Sequence, residues 1–440
     1  MDFEEYEYNG TVFIYETKEH ILRMAAPGSS NVIIRGILRY GQTVEIPFSI
    51  DGSPITSFSP MQDLSFSPPY PGVKKLCIPA LLGKFSPEET GNLIFPDLAE
   101  LAVDRENRIF CTDGQMLYKN NRKELFLSMA AGRKREAATV PASVLRIGEY
   151  AFSETICEEI LFENPDIEAE STSFLCSAWA KRQENAIYVG NMLFQAKPYT
   201  NSLIINEGVT RIHENAFSQH NDKYLEIFLP ESLKELRKCS LENVDTVTTY
   251  EGSIEKLASA MNSSASKKQW KTVRIIKEDC KQLKKAELML TRFGDESTSE
   301  SGEKFKDFAL PGRMNPVEAS YFDDVFASKP FDLRKYDNAL SLIEPMQEKL
   351  DFTIYAILQR DDFSDTPYPG FATENGAEIV QRMIEILTEK DICLILKKGL
   401  LNERSLEKAV RRFNENGLNA AAAYALQAAA RMNRDNLIEL

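Results

Sequence analysis

The sequence predicts an α/β chain in which an irregular solenoid of short strands, turns and hairpin insertions is followed by an all-α C-terminal domain. Two observations carry this prediction. Short units of one apolar pattern recur along the first part of the chain, as expected where stacked repeats share a core. From about residue 316, apolar residues instead recur at spacings of three and four, which is the helical period.

Three copies of one pattern define the repeats. They are VPASVLRIGEYAF at 140–152, IINEGVTRIHENAF at 204–217 and LPESLKELRKCSL at 229–241. Each copy starts with an apolar residue, continues with apolar residues at spacings of three and four, and ends in a small residue and a bulky one. A single unit cannot bury such a face, whereas stacked units can. We therefore expect these apolar residues to form the core of an array.

Weaker copies and hairpins surround these units. VEIPFSIDGSPITSF at 44–58 and VKKLCIPALLGKF at 73–85 repeat part of the pattern. Two longer passages, 98–132 and 186–208, contain turn pairs such as Asp113-Gly114 between short β-rich runs. Such pairs adopt the positive φ angles that tight hairpins require. The pattern therefore predicts repeats that alternate with hairpin insertions.

These motifs resemble the BspA-like leucine-rich repeats of bacteria, whose units are similar to IP-x-x-V-x-x-I-G-x-x-A-F. The copy at 140–152 matches each defined position, including Gly148, whereas the later copies have His213 and Arg237 there. RENRIFCTDGQMLYKNNRKEL at 105–125 is similar to segments that the family places between its units. The resemblance covers about 43–277. It implies a repeat fold that binds protein partners, and many members of the family are exported or surface-attached.

The sequence predicts a repeat domain at 1–277, a linker at 278–315 and a helical domain at 316–440. The linker prediction rests on a Ser-, Glu- and Gly-rich stretch without periodicity. In the helical domain, Pro345 is expected to kink a helix or start a turn, and Ser405 is expected to be an N-cap. The last helices, LILKKGLLNERSLEKAVRRFNENGLNAAAAYALQ, resemble ankyrin-type helix pairs.

Composition limits the classes of partner. The 440 residues are 43% hydrophobic and carry a formal net charge of −14. Because binding to phosphate backbones needs a basic surface, we expect no nucleic-acid partner. No apolar run reaches the length of a membrane span, so we expect no membrane insertion. The acidic start, MDFEEYEYNG, lacks the order of a secretory signal, so we expect a cytoplasmic protein, with a secreted or surface location as the alternative.

Catalytic motifs are absent from the sequence. It contains no glycine-rich phosphate loop, no G-x-S-x-G and no H-E-x-x-H. Its seven cysteines are scattered without metal-ligand spacing, and there are only three histidines. We therefore expect no enzyme, cofactor or metal. A cysteine-dependent hydrolase, with Cys157, Cys176 or Cys239 as nucleophile, is the alternative from another class.

The favoured function is a non-catalytic scaffold that recognises a protein partner of unknown identity through the repeat surface. An exported, adhesin-like protein of the same family is the alternative. Aromatic residues on loops and insertions are the candidate partner-binding residues, because such residues dominate interface energetics. The candidates also include the histidine that replaces glycine in the second copy; together they are Tyr70, Tyr188, Phe194, Tyr199 and His213. The competing interpretation is that these rings cover the edge of the core beneath each insertion.

Overall fold

The fold is α/β, with short strands in mixed sheets up to residue 311 and helices after it, which confirms the predicted fold class. The computed structural model describes residues 3–19, 30–85, 91–134, 136–220, 223–262, 270–276, 305–360 and 362–438.

The chain forms two compact units, 1–197 and 198–440. The boundary between them lies among the repeats. The division into a repeat domain, a linker and a helical domain stays a prediction.

The described residues of the first unit form short strands and one short α-helix. Their bounds are β1 Glu4–Tyr8, β2 Thr11–Glu19, β3 Ser30–Arg39, β4 Thr43–Glu45, β5 Ser49–Ile50, β6 Ser53–Phe58, β7 Lys75–Ile78, β8 Lys84–Phe85, β9 Glu100–Val103, β10 Phe110–Thr112, β11 Leu117–Lys119, β12 Glu124–Leu127, β13 Ala138–Val140, β14 Arg146–Ile147, β15 Ile160–Phe162, β16 Glu168–Ala169, α1 Ala178–Arg182, β17 Ala186–Val189 and β18 Met192–Ala196.

Parallel pairing of short strands joins the successive repeats of this unit. Strands β4, β7 and β9 pair in parallel, as do β13 with β15 and β14 with β16. The predicted hairpin insertions are present as the antiparallel sets β10–β11–β12 and β17–β18. Sequence analysis missed the opening β1–β2 hairpin, although Asn9-Gly10, with φ of 49° and 76°, is a typical hairpin turn.

The repeat positions of the 140–152 copy form a core. Val140, Val144, Ile147, Ala151 and Phe152 are all completely buried, as the pattern predicts. The apolar positions of the other two copies are also buried, namely Ile205, Val209, Ile212, Ala216, Phe217, Leu233, Leu236 and Leu241.

A further repeat, which sequence analysis missed, follows the 140–152 copy. Strands β15 and β16 pair with β13 and β14, in registers that place Val140 opposite Phe162 and Ile147 opposite Ala169. Ser173 lies at the position of Ala151, and the ring of Phe174 stacks on that of Phe152 at 5.6 Å. In this register Asp166 stands at the position of Val144 and Ala169 at that of Ile147. The unit therefore lacks two large apolar residues of the pattern and did not stand out in the sequence.

Two repeats have a serine at the position of Ala151, and we expect opposite stability effects when each serine is replaced. Ser173 donates its hydroxyl to the carbonyl oxygens of Gly148 and Ile147, at 3.0 and 3.2 Å. The buried Ser240 hydroxyl has no hydrogen-bond partner among the described residues. We expect Ser240→Ala to stabilise the protein by about 1 kcal/mol and Ser173→Ala to destabilise it by about 1 kcal/mol. Urea unfolding of both variants tests this, and effects of the same sign would contradict it.

The second unit contains the remaining strands and nearly all the helices. Their bounds are β19 Ser202–Ile204, β20 Arg211–Ile212, β21 Glu226–Phe228, β22 Thr246–Tyr250, α2 Leu257–Met261, β23 Trp270–Ile276, β24 Phe305–Pro311, α3 Pro316–Phe326, α4 Leu333–Asn338, α5 Met346–Leu358, α6 Tyr368–Glu374, α7 Gly376–Ile386, α8 Glu389–Lys397, α9 Glu403–Glu415 and α10 Asn419–Ile438.

One five-stranded sheet organises this unit. Strands β19, β21, β22 and β23 are parallel, and β24 is antiparallel to β23. Strand β24 lies within the stretch predicted as a linker, whose earlier part, 278–304, lies outside the described residues. Sequence analysis missed the strand because a Ser- and Glu-rich run precedes it.

The structure corrects two expectations about where the helices start. Pro345 precedes α5 as its N-cap and therefore starts a helix. The expected N-cap Ser405 is wrong, because the side chain of Asn402 accepts the Ser405 N–H at 2.9 Å and starts α9 three residues earlier. The stretch 376–397 forms two helices, α7 and α8, and the side chain of Thr388 caps the second.

The helices pack on the last strands of the sheet. Tyr336 of α4 donates its hydroxyl to the Ala309 carbonyl of β24 at 2.8 Å. The ring of Phe308 lies 4.4 Å from that of Phe331 and 5.0 Å from that of Tyr336. Helix α10 packs against α8 and α9. The resemblance of these last helices to ankyrin pairs stays a prediction.

Candidate functional site

Three of the expected partner-binding residues lie inside the protein. Tyr70 is 1% exposed, and its hydroxyl donates to the Phe66 carbonyl at 2.8 Å. Phe194 of β18 is buried with its ring edge-on to Phe174. His213 is buried, and its Nδ1 accepts the Asn215 N–H at 3.2 Å.

These placements correct the expectation that the rings project from loops. Burial desolvates the hydroxyl of Tyr70 and raises its pKa. Covering the core with a ring stabilises the fold by about 1.5–3 kcal/mol, and a buried ring presents no surface to a partner. The competing interpretation, in which rings cover the core edge, therefore describes these three residues.

The other two candidates differ in exposure. Tyr188 is half-buried in β17 of the first unit. Tyr199 is 64% exposed in the second unit, where it precedes β19. A second tyrosine, Tyr224, precedes β21 and is 52% exposed. Because Ser202 of β19 lies opposite Glu226 of β21, both tyrosines lie where neighbouring parallel strands begin. We call Tyr199, Lys223 and Tyr224 the tyrosine edge.

Hydrogen bonds hold the backbone of the tyrosine edge. Lys223 donates its ammonium to the Pro198 carbonyl at 2.8 Å, next to Tyr199. The Tyr224 hydroxyl and the Thr246 hydroxyl are 3.1 Å apart and share a hydrogen bond. The Leu225 N–H donates to an Asp245 carboxylate oxygen at 2.6 Å. These bonds therefore hold the tyrosine edge against the starts of three neighbouring strands of the sheet, β19, β21 and β22.

The centre of the sheet next to the tyrosine edge is buried. All residues of β21 and β22 are buried on both faces. Arg274 of β23 reaches across the strands, with nitrogens 3.0 Å from a Glu226 oxygen and 2.6 Å from an Asp307 oxygen. In this part of the array, the starts of the strands offer exposed aromatic surface, whereas the centre of the sheet does not.

Sequence analysis missed Tyr224. It directly precedes the apolar run of β21 and lies outside the two passages predicted to contain hairpins, 98–132 and 186–208. The strand register could have identified it, since the pairing of Ser202 with Glu226 places Lys223-Tyr224 opposite Tyr199-Thr200.

Two of the candidate nucleophiles, Cys157 and Cys176, lack the features of an activated thiol. Burial raises the pKa of Cys157, and a hydrogen bond with Glu154 raises the pKa of the exposed Cys176. A reactive thiol needs a lowered pKa. Cys239 is half-buried. Among the described residues, no three His, Cys, Asp or Glu side chains are grouped to hold a metal ion.

Within the part of the chain that the structure describes, no helix has the length and apolar character needed to cross a membrane.

Comparison with known proteins gives one family and two distant structures. The model of the BspA type leucine-rich repeat region matches in six copies, over 131–248 and 181–289. No curated protein matches the chain. A leucine-rich repeat protein from Eubacterium ventriosum is 18% identical, with a TM-score of 0.25, over 48% of this chain and 49% of its own. The pneumococcal vaccine antigen PcpA is 13% identical, with a TM-score of 0.26, over 47% of this chain and 56% of its own.

The two structural similarities are too weak to carry an argument, and the chain spans about half the length of each of those proteins. The family match agrees with the geometry. Its residues include the repeat strands β13 to β16 and the parallel strands β19, β21, β22 and β23, whose buried positions follow the pattern of the repeats. Residues 131–289 of this chain are therefore similar to the BspA type leucine-rich repeat region.

Proposed function

We propose that this protein is a non-catalytic scaffold that binds a protein partner through the tyrosine edge. The observation that carries the proposal is the pair of tyrosines, each more than half exposed, at the starts of two paired strands. Exposed aromatic rings on a fixed backbone bury large areas at low cost in side-chain entropy. Such rings are the usual energetic centre of a protein interface.

The net charge of the chain favours a protein partner with a neutral or basic surface. The chain as a whole carries a net charge of −14, which repels nucleic-acid phosphates. Lys223 contributes a cation next to the rings, and its ammonium is bound to the Pro198 carbonyl. We therefore expect contacts dominated by ring stacking and hydroxyl hydrogen bonds, with a small dependence on salt.

Two substitutions at the edge test this function. We expect the double variant Tyr199→Ala, Tyr224→Ala to lose at least about tenfold in partner affinity, because hot-spot tyrosines cost about 2 kcal/mol or more when truncated. The measurement is quantitative affinity capture with the intact chain, followed by titration of the captured protein.

The matched control is Tyr424→Ala, which removes a partly exposed tyrosine on α10. It should capture the same partners as the unaltered protein. Thermal unfolding of all three proteins separates lost binding from lost folding. Equal capture by the double variant and the unaltered protein would contradict the proposed site.

We further propose that the protein acts in the cytoplasm. The six described cysteines are free thiols, a state that a reducing compartment maintains. Fractionation of the native host tests this location. Recovery of the protein from the medium or the cell envelope would instead support the exported, adhesin-like alternative.

A further inference from the structure

A cleft in the helical part of the second unit has the features of a ligand site. It lies between α5, α7 and α9 and has a volume of about 340 Å³. This volume is at the lower end of small-ligand sites, enough for one or two amino-acid residues. Leu350 and Ala377 contribute its apolar wall, and polar side chains of α7 and α9 surround them.

The charge of one arginine in this cleft is fully matched. Arg382 donates Nε and Nη2 to the two oxygens of Asp351, at 2.6 and 2.8 Å. Its remaining nitrogen, Nη1, donates to Glu385 at 2.9 Å. The guanidinium of Arg382 therefore has no open edge for a ligand, and the charge of Glu385 is compensated.

The second arginine in the cleft, Arg412, is different. Its Nη1 donates to the Ala377 carbonyl at 3.3 Å and to the Gln381 side-chain oxygen at 3.1 Å. No carboxylate of the described residues forms an ion pair with it. Other arginines of the helical part do have such partners, namely Arg334 with Asp365, Arg360 with Asp337 and Arg411 with Glu415. The two bonds orient the guanidinium of Arg412 and leave its other nitrogens open to the cleft.

We propose that this cleft binds a carboxylate group of a peptide, with Arg412 as its anchor. A guanidinium recognises a carboxylate through parallel hydrogen bonds that are stronger than neutral ones. Glu378, exposed on the same cleft wall, is placed to accept an N–H of the bound peptide. The wall of Leu350 and Ala377 takes an apolar side chain. This site is separate from the tyrosine edge and does not depend on the function proposed for it.

The lining favours a carboxylate over a phosphate. A phosphate carries close to two negative charges at neutral pH. In this cleft it would meet one open guanidinium and the carboxylate of Glu378. A singly charged carboxylate on a peptide brings N–H donors with it, which match both the charge of Arg412 and the oxygens of Glu378.

The test titrates three short peptides into the intact chain, with calorimetry as the readout. The first ends in an amidated glutamate, the second in glutamine with a free terminal carboxylate, and the third in an amidated glutamine. We expect one or both of the first two to bind and the neutral third to fail. The peptide that binds identifies the source of the carboxylate, side chain or chain end.

Matched variants locate the site. Arg412→Gln should weaken binding at least about tenfold, because a charge-assisted bond is lost. Arg411→Gln, which removes the neighbouring exposed charge of α9, should leave affinity within about twofold. Thermal unfolding of both variants shows that each is folded.

Several results would overturn the proposal. They are the absence of binding by either carboxylate peptide, equal binding of the neutral peptide, equal losses in the two arginine variants, and tighter binding of inorganic phosphate than of the peptides. None of these results bears on the tyrosine edge, which is tested by separate substitutions.

Discussion

Replacing Asp351 with alanine is expected to lower the free energy of unfolding of the second unit by about 3–5 kcal/mol, the usual cost of breaking a buried ion pair from one side. Asp351 is 2% exposed on α5. It holds Arg382 through two hydrogen bonds and accepts the indole N–H of Trp270 at 2.9 Å. The substitution leaves the guanidinium with Glu385 alone and the indole without its acceptor.

The loss of stability in Asp351→Ala should extend beyond α5, because Asp351 also contacts a strand and a second helix. Trp270 belongs to β23, the last parallel strand of the repeat sheet, whereas Arg382 belongs to α7. One carboxylate therefore connects the sheet with two helices. We expect hydrogen exchange to accelerate in β23, α5 and α7 together, because all three elements share this acceptor.

Fluorescence can measure this effect in the second unit. The chain has two tryptophans, and Trp179→Phe leaves Trp270 as the sole emitter. In that background, urea unfolding of Asp351→Ala should show the lower midpoint and a shifted emission in the folded state. The control, Glu415→Ala, breaks an exposed pair with Arg411 and should cost less than about 0.5 kcal/mol. A cost below about 1 kcal/mol for Asp351→Ala would contradict the role assigned to it.

The repeat core was predictable because its positions are local and periodic. Each apolar residue of the 140–152 pattern is a few residues from the next, so the spacing alone identifies the buried face. The repeat at β15 and β16 was not predicted because Asp166 and Ala169 stand at the positions of Val144 and Ile147, and because a serine, Ser173, fills a third core position. A serine can do so when its hydroxyl bonds to nearby carbonyls, as Ser173 does with Ile147 and Gly148, and apolar patterns do not record such bonds.

The site was predictable only in part. Tyr199 was identified from its loop, but Tyr224 becomes its neighbour only through the register of β19 and β21. The contact between Trp270 and Asp351 joins residues 81 positions apart, and the bond between Asp351 and Arg382 joins residues 31 apart. Long-range polar contacts of this kind leave no periodic trace in one sequence, and the same holds for the burial of Tyr70 and Phe194.

Substitution of Asn92, in the first unit, is expected to have the other large effect on stability. Its side chain is 2% exposed and bridges two turns of the repeats. Its oxygen accepts the Met129 N–H at 2.8 Å, and its nitrogen donates to the carbonyls of Ala151 and Ser153 at 3.1 and 3.0 Å. We expect Asn92→Leu to lower the free energy of unfolding by about 3–5 kcal/mol, because each buried group left without a partner costs about 1–3 kcal/mol.

Asn92→Asp adds a pH dependence whose sign is fixed by these contacts. The new carboxyl keeps an acceptor for Met129 but directs its second oxygen at carbonyls, so the folded state favours the protonated acid. Its folded-state pKa should therefore rise above the ordinary value of about 3.9. The destabilisation is smallest below that value and grows as pH rises through the raised folded-state pKa.

Chemical unfolding at pH 4 and pH 7 measures this difference. Trp270→Phe leaves Trp179, which lies in the first unit, as the reporter. The control is Asn121→Asp at the exposed tip of the β11–β12 hairpin, where φ is 53° and either residue tolerates the backbone. Its stability should track the unaltered protein at both pH values. If the cost of Asn92→Asp were the same at both, the donor role of the Asn92 amide would be wrong.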